Sequence, residues 1–162
     1  MSRKGEGADV SVRREKAILA VASGGGHWLQ LLRLKRAFEG HRVTFVSVNR
    51  ETAADVAPAR HFAVRDANRW DKVGLLIQLA KLIWIVLRVR PDVVISTGAA
   101  PGYFALRLGK LFGARTIWVD SIANAEEMSL SGRLAQRYAD LWLTQWPEVA
   151  KRDGARYEGR LL

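Results

Sequence analysis

Three short segments of this 162-residue chain hold residue types that could do chemistry. The first is Ser23-Gly24-Gly25-Gly26-His27, placed between the apolar run Lys16–Ala22 and a helical pattern over His27–Phe38. Consecutive glycines let backbone N–H groups approach a ligand closely, and a helix N-terminus attracts negative charge, so the expected ligand is a phosphate. His27 stands at that terminus, as a base or as a donor to the phosphate. The second segment is Ser96-Thr97-Gly98-Ala99-Ala100-Pro101-Gly102, after Val93-Val94-Ile95. It reads as a loop that hugs a ligand or as an ordinary strand-to-helix turn. The third is Trp118 to Asn124, in which Asp120 ends a strand and Ser121 follows it. Asp120 could take a proton from a substrate hydroxyl, orient His27, or cap the next turn. Ser129-Leu130-Ser131-Gly132 reads as a helix cap.

Several chemistries are set aside by composition. The chain has no cysteine, so disulfides and thiolates play no part, which fits a cytosolic setting. Three histidines without a His/carboxylate cluster leave no metal site. The glycine turn departs from G-x-G-x-x-G at Leu29, and the second strand is followed by Asn49 and Arg50 rather than an acid. Both features argue against a dinucleotide, and no cofactor is expected. The net charge of +10 fits a nucleic acid, an anionic lipid surface, an acidic substrate, or a solvated basic exterior. Nucleic acid is disfavoured because no helix-turn-helix, zinc or RNA-recognition signature is present.

The elements that must position these segments alternate between strand and helix. Strand candidates are Ala17–Ala22, Val43–Val48, His61–Val64, Val93–Thr97, Thr116–Val119 and Leu141–Thr144. Helix candidates are His27–Phe38, Lys72–Arg88, Tyr103–Leu111 and Gly132–Tyr138, with a short helix over Arg50–Ala59 ending before Pro58. This alternation predicts an α/β fold: a single Rossmann-like domain over residues 17–162 with a mostly parallel sheet, preceded by a mobile basic arm over residues 1–16. All three segments then lie at the carboxyl ends of strands, where open α/β sheets bind ligands. One sheet uses nearly the whole chain, so a site built between two such domains needs a partner chain.

The stretch Val73–Leu87 is apolar almost all round, broken by Gln78 and Lys81. It is shorter than the roughly 20 residues that span a bilayer. Its residues Leu76, Leu79, Ile83 and Trp84, together with Trp146, are candidate membrane or partner contacts. Lys72, Arg88 and Arg90 flank the stretch as basic residues do at an anionic membrane surface. Core packing plus a subunit contact is the other reading.

Taken in order, the motifs S-G-G-G-H, P-D-V-V-I-S-T-G, W-V-D-S-I-A-N, S-L-S-G-R-L, A-D-L-W-L-T-Q-W-P and Y-E-G-R-L-L resemble those of the asparagine-linked glycosylation protein 14 family and its bacterial exopolysaccharide relatives (PssD-like). The resemblance runs from Ala17 to Leu162. It implies the acceptor-side, N-terminal half of a split, MurG-like GT-B glycosyltransferase, one that is inactive without its partner. That partner is a donor-binding subunit on a separate chain, with a nucleotide-sugar at the shared interface. The implied acceptor is a polyprenyl-pyrophosphate-linked sugar, and the implied location is peripheral, on the cytoplasmic face of a membrane. For bacterial relatives the implied pathway is capsule or exopolysaccharide assembly. Gly24, Gly25, Gly26 and His27 match the family's glycine loop, expected to face the acceptor pyrophosphate, with Ser23 at its start. Ser96, Thr97 and Gly98 match the second loop. Asp120 falls where many members have glutamate before serine, and Asn124 falls where many have arginine. A stand-alone Rossmann-like nucleotide-binding protein, or a basic nucleic-acid accessory protein, is the alternative.

Overall fold

The computed structural model describes residues 14–161. Among them, seven strands form one parallel sheet in the order β3-β2-β1-β4-β5-β6-β7. The strands are β1 (Ala17–Val21), β2 (Arg42–Ser47), β3 (Arg60–Ala63), β4 (Val93–Ser96), β5 (Arg115–Val119), β6 (Leu141–Thr144) and β7 (Arg156–Tyr157). Crossovers run through α1 (Gly25–Arg33), α2 (Ala53–Val56), α3 (Lys72–Val89), α4 (Ala99–Leu111), α5 (Leu130–Ala135) and α6 (Pro147–Asp153). The chain steps outward from β1 to β3, then returns to place β4 on the other side of β1. That reversal opens a crevice at the carboxyl ends of β1 and β4, the position where doubly wound sheets bind ligands. The expected single α/β domain is the one observed. Of the expected arm, residues 1–13 lie outside the described residues.

β1 is buried along its whole length, as an apolar run without alternation requires of a central strand. On one face Leu19, Val21, Val94 and Trp118 pack against Leu82, Ile85, Leu106 and Val149 of α3, α4 and α6. On the other, Ile18, Ala20, Phe45 and Ile95 pack against Trp28 and Leu31 of α1 and Phe38 of the tight turn after it.

Three helices start earlier than the sequence suggests, α5 among them at Leu130 rather than Gly132. α1 begins at Gly25, because Gly25 takes φ +55° and turns the chain directly into the helix. It ends at Arg33, and Lys35–Phe38 follows as one 3-10 turn. α4 begins at Ala99 rather than Tyr103. Pro101 lies in its first turn, where N–H groups lack an intrahelical partner, so proline is tolerated there. α6 and the two-residue β7 were not expected. α6 is short and polar in sequence, yet Pro147 opens it and left-handed Gly154 (φ +78°) closes it.

α3 divides its apolar surface between core and exterior. Gly74, Gln78, Leu82, Ile85 and Val86 are buried against the sheet. Val73, Leu76, Ile77, Ile83, Trp84 and Leu87 form a second stripe at helical spacing on the outward side, with Leu76 66% and Trp84 51% exposed. Asp71 caps the helix by accepting from the Gly74 N–H at 2.8 Å. Among the described residues, no helix is long and apolar enough to cross a membrane.

Candidate functional site

The glycine loop and the loop after β4 meet in the crevice and lock each other. His27 Nδ1 lies 2.9 Å from the Thr97 carbonyl oxygen, and Thr97 Oγ1 donates to the His27 carbonyl at 2.7 Å. A carbonyl only accepts, so the proton of this contact sits on Nδ1. In the neutral ring Nε2 then carries the lone pair, and among the described residues it makes no hydrogen bond. Gly98 makes this placement possible. A Cβ there would stand 2.4 Å from the His27 ring, and its φ of +141° suits only glycine. Ser96 and Thr97, expected to bind a ligand, are instead fully buried. Ser96 Oγ accepts from the Gly98 N–H at 3.1 Å, so both hydroxyls shape the loops rather than face a ligand.

The N-terminus of α1 is open. No side chain caps it and its first turn carries no acid. Gly25 and Gly26 are exposed, and a Cβ at either would meet nothing within 4 Å. The chain's own packing therefore leaves the space above these two residues clear, with Ser23 half-buried beside them. The arrangement presents the N–H groups of a helix start, a positive dipole end and one imidazole lone pair on the same rim.

Asp120 is placed differently from the expectation. Its carboxylate is wholly buried. Oδ1 accepts from Trp118 Nε1 at 3.0 Å and Ser129 Oγ at 2.6 Å, while Oδ2 accepts from Asn124 Nδ2 and the Ser129 N–H, each at 2.9 Å. A carboxylate has about four acceptor sites, and all are filled. It has no spare lone pair for a substrate proton and makes no hydrogen bond to His27. Its geometry is that of a clamp joining β5 to the start of α5, where Ser129 caps the helix as expected by accepting from the Gly132 N–H at 2.9 Å.

Two glutamines that the sequence reading passed over tie these loops together. Gln30 Nε2 donates to the Gly26 carbonyl at 3.2 Å and to Ser121 Oγ at 3.1 Å, and its Oε1 accepts from the Ile122 N–H at 3.0 Å. Gln145 Nε2 donates to Gln30 Oε1 at 2.6 Å and to the Asp120 carbonyl at 2.9 Å. Its Oε1 accepts from the Leu161 N–H at 2.7 Å, which straps the C-terminal segment to the layer. Ser121 is buried in this network. The available signal was Gln30's place one turn after Gly26 on the face that buries Trp28 and Leu31.

The surface candidates separate as well. Leu76, Ile83 and Trp84 lie on the exposed stripe of α3, whereas Leu79 is half-buried against the core. Leu79 and Ile83 line a cavity of about 520 Å3 between α3 and α4, with Phe104, Leu108 and Leu111 opposite. Trp146 belongs to the loop layer: its Nε1 donates to the Ile122 carbonyl at 2.7 Å and Arg160 stacks over its ring at 4.2 Å. Elsewhere, Lys110 holds the Asp140 carboxyl below its ordinary range by hydrogen bonding, and Arg152 does the same for Asp153. Burial lowers the pKa of His61, whose Nε2 contacts Ser47 Oγ at 3.0 Å and Thr52 Oγ1 at 3.1 Å. Among the described residues, no group of His, Asp or Glu is arranged to hold a metal ion.

The fold is shared with MurG from Acinetobacter baumannii, at a TM-score of 0.67 and 14% identity over 83% of this chain and 42% of that one. A UDP-GlcNAc 2-epimerase from Methanocaldococcus jannaschii matches at 0.61 and 13%, over 86% of this chain and 43% of that one. Curated relatives include the UDP-N-acetylglucosamine transferase subunit ALG14 of Yarrowia lipolytica, 31% identical over 53% of this chain and 43% of that protein. The Eremothecium gossypii protein of the same name is 39% identical over 47% of this chain and 37% of its own length. The human one is 26% identical over 95% of this chain and 87% of its length. The matched region thus spans less than half the length of the two fungal relatives. Residues 59–161 match the family described as "Oligosaccharide biosynthesis protein Alg14 like", more than half of the chain, and the chain belongs to the Alg14 family.

Proposed function

We propose that this chain is the acceptor-side subunit of a two-chain glycosyltransferase, active only when a donor-binding chain completes the site. The observation that carries this reading is the open N-terminus of α1 with the His27 lone pair on its rim. The exposed glycines receive the pyrophosphate of a lipid-linked acceptor. His27 Nε2 takes the proton of the acceptor hydroxyl. The hydroxyl oxygen then bonds to the sugar carbon of a nucleotide-sugar, and the bond from that carbon to the nucleoside diphosphate breaks. Asp120, Gln30 and Gln145 hold the loops in register. The subunit names of the relatives and the MurG fold support the reading.

The same reading places the outward stripe of α3 on a membrane surface. Burying a half-exposed Leu or Trp contributes about 1 kcal/mol, and each Lys or Arg near an anionic surface about the same. The stripe and its flanking cations are thus comparable, and attachment requires both. Trp84→Ser with Leu76→Ser should release the chain from anionic vesicles without unfolding it, its melting temperature lowered only by loss of the Trp84–Phe62 contact.

The deciding experiment is reconstitution. This chain, a candidate donor-binding chain, and the two together are assayed with several nucleotide-sugars and a polyprenyl-pyrophosphate-linked acceptor. Transfer is expected from the pair alone. Full turnover by this chain without a partner would overturn the split reading.

A further inference from the structure

The amino-terminal ends of β2 and β3, opposite the site above, hold a second feature. A cleft of about 1000 Å3 opens there beside the turn after α1 and the last turn of α3. Phe38 and Val56 line it from the α1 face of the sheet, where they pack with Phe45. Its rim carries Lys35, Arg42, Arg60 and Arg88 against one carboxylate, Glu39. The sheet register explains how the arginines gather. Arg60 pairs with Thr44, and Arg42 lies two residues before Thr44, so both project from one face of the sheet. Thr44 pairs in turn with Leu19, which packs against α3, so this is the face that also brings Arg88.

Among the described residues, none of the four cations pairs with a carboxylate. Lys35 donates to the Asp55 carbonyl at 3.0 Å. Arg88, in the last turn of α3, answers the negative end of that helix. Arg42 and Arg60 have no such local explanation. Gathering like charges costs energy unless an anion lies between them, and guanidinium forks match phosphate oxygens.

We propose that this cleft binds a phosphate group, with Arg42 and Arg60 as its principal ligands and Arg88 completing the positive field on the same face of the sheet, while Lys35 lies on the α1 face. The phosphate comes from a phospholipid headgroup or from a soluble phosphate compound. Arg88 directly follows Leu87, the end of the apolar stripe, so a bilayer lying on α3 would deliver headgroups to the cleft. That choice of source rests on the membrane reading above, and the site itself does not.

The test uses the purified chain in two arms: titration calorimetry with inorganic pyrophosphate, and flotation with phosphatidylcholine vesicles with or without phosphatidylglycerol. The cleft variant is Arg42→Gln with Arg60→Gln. The control is Arg50→Gln with Arg137→Gln, which removes the same charge elsewhere. The cleft variant should lose on the order of tenfold in binding, and the control no more than about twofold. Loss confined to anionic vesicles assigns the phosphate to lipid, and loss in the pyrophosphate arm assigns it to a soluble compound. Equal losses in cleft variant and control, or no binding in either arm, overturn the site. Melting temperatures confirm that all variants fold. If the Trp84→Ser/Leu76→Ser variant leaves the vesicles while the cleft variant stays on them and keeps its pyrophosphate affinity, the membrane reading stands and the cleft proposal falls. If the stripe variant stays on vesicles while the cleft variant loses pyrophosphate, the cleft stands without the membrane reading.

Discussion

The glycine loop at the end of β1 and the Asp120 loop at the end of β5 sit in one layer and differ in how much bonding capacity they keep. Asp120 is buried and accepts from four donors. His27 spends one ring nitrogen on Thr97 and keeps the other, beside two exposed glycines at an uncapped helix start. A saturated polar group in a dry site holds structure, and an unsaturated one on a rim can meet a substrate. The difference predicts that substitutions in the first loop change turnover and substitutions in the second change stability.

The largest effect expected is from Asp120→Ala. It leaves Trp118 Nε1 and the donors of Ser129 and Asn124 without an acceptor, and should cost about 3–5 kcal/mol of stability in urea unfolding. A variant that folded as well as the parent but lost transfer would show that Asp120 acts on substrate, and the contrast between the loops would break. His27→Ala is the counterpart. Transfer by the reconstituted pair should fall roughly 10²-fold, about 2.7 kcal/mol of barrier, with little change in melting temperature. Unchanged turnover would remove His27 from the mechanism.

Much of this contrast was legible in the sequence, because the fold signals are local. Apolar runs ending in glycine turns place β1 and β4 correctly and put His27 at a helix start. The clamp around Asp120 was not legible, because strand-end position alone does not reveal four donors drawn from residues up to Ser129. The buried roles of Ser96 and Thr97 were hidden for the same reason: a hydroxyl in a glycine-rich loop looks like a ligand contact until its own backbone partner is known. Gln30 and Gln145 lie 115 residues apart in sequence, and no periodicity links them. The outward stripe of α3 was visible as surplus apolar residues, but which of them reach the surface depended on how the helix docks. Leu79 turned inward and Trp84 did not.

Gly98→Ala sharpens the comparison from the open side. Its Cβ would press on the His27 ring at 2.4 Å, at a φ of +141° that disfavours any side chain. The strain should cost about 1–3 kcal/mol, and displacing the imidazole should lower transfer on the order of tenfold. Chemical-shift changes confined to His27 and its neighbours would confirm that the effect passes through the ring. A stable variant with full turnover would mean that the ring's position is unimportant.

The smallest effect expected tests whether a committed histidine behaves as Asp120 does. His61 Nε2 faces Ser47 Oγ and Thr52 Oγ1, and each of those hydroxyls lies 2.7 Å from the Asn49 carbonyl oxygen. The two hydroxyls also lie 2.7 Å from each other, and this closed set of contacts fixes the ring much as the Asp120 carboxylate is fixed. Burial lowers the pKa of His61 below the ordinary 6.5. As pH falls through about 6.5 the unfolded chain therefore takes up this proton before the folded one does. The contribution of His61 to stability is full above that pH, declines as pH drops towards the folded pKa, and then levels off. His61→Gln keeps a donor but cannot titrate, so its melting temperature should fall less between pH 7.5 and 5.5 than the parent's, with transfer at pH 7.5 nearly unchanged. Parallel pH profiles for the two proteins would show that His61 contributes nothing to the pH dependence. A large loss of transfer at pH 7.5 would place it with His27, on the open side of the layer.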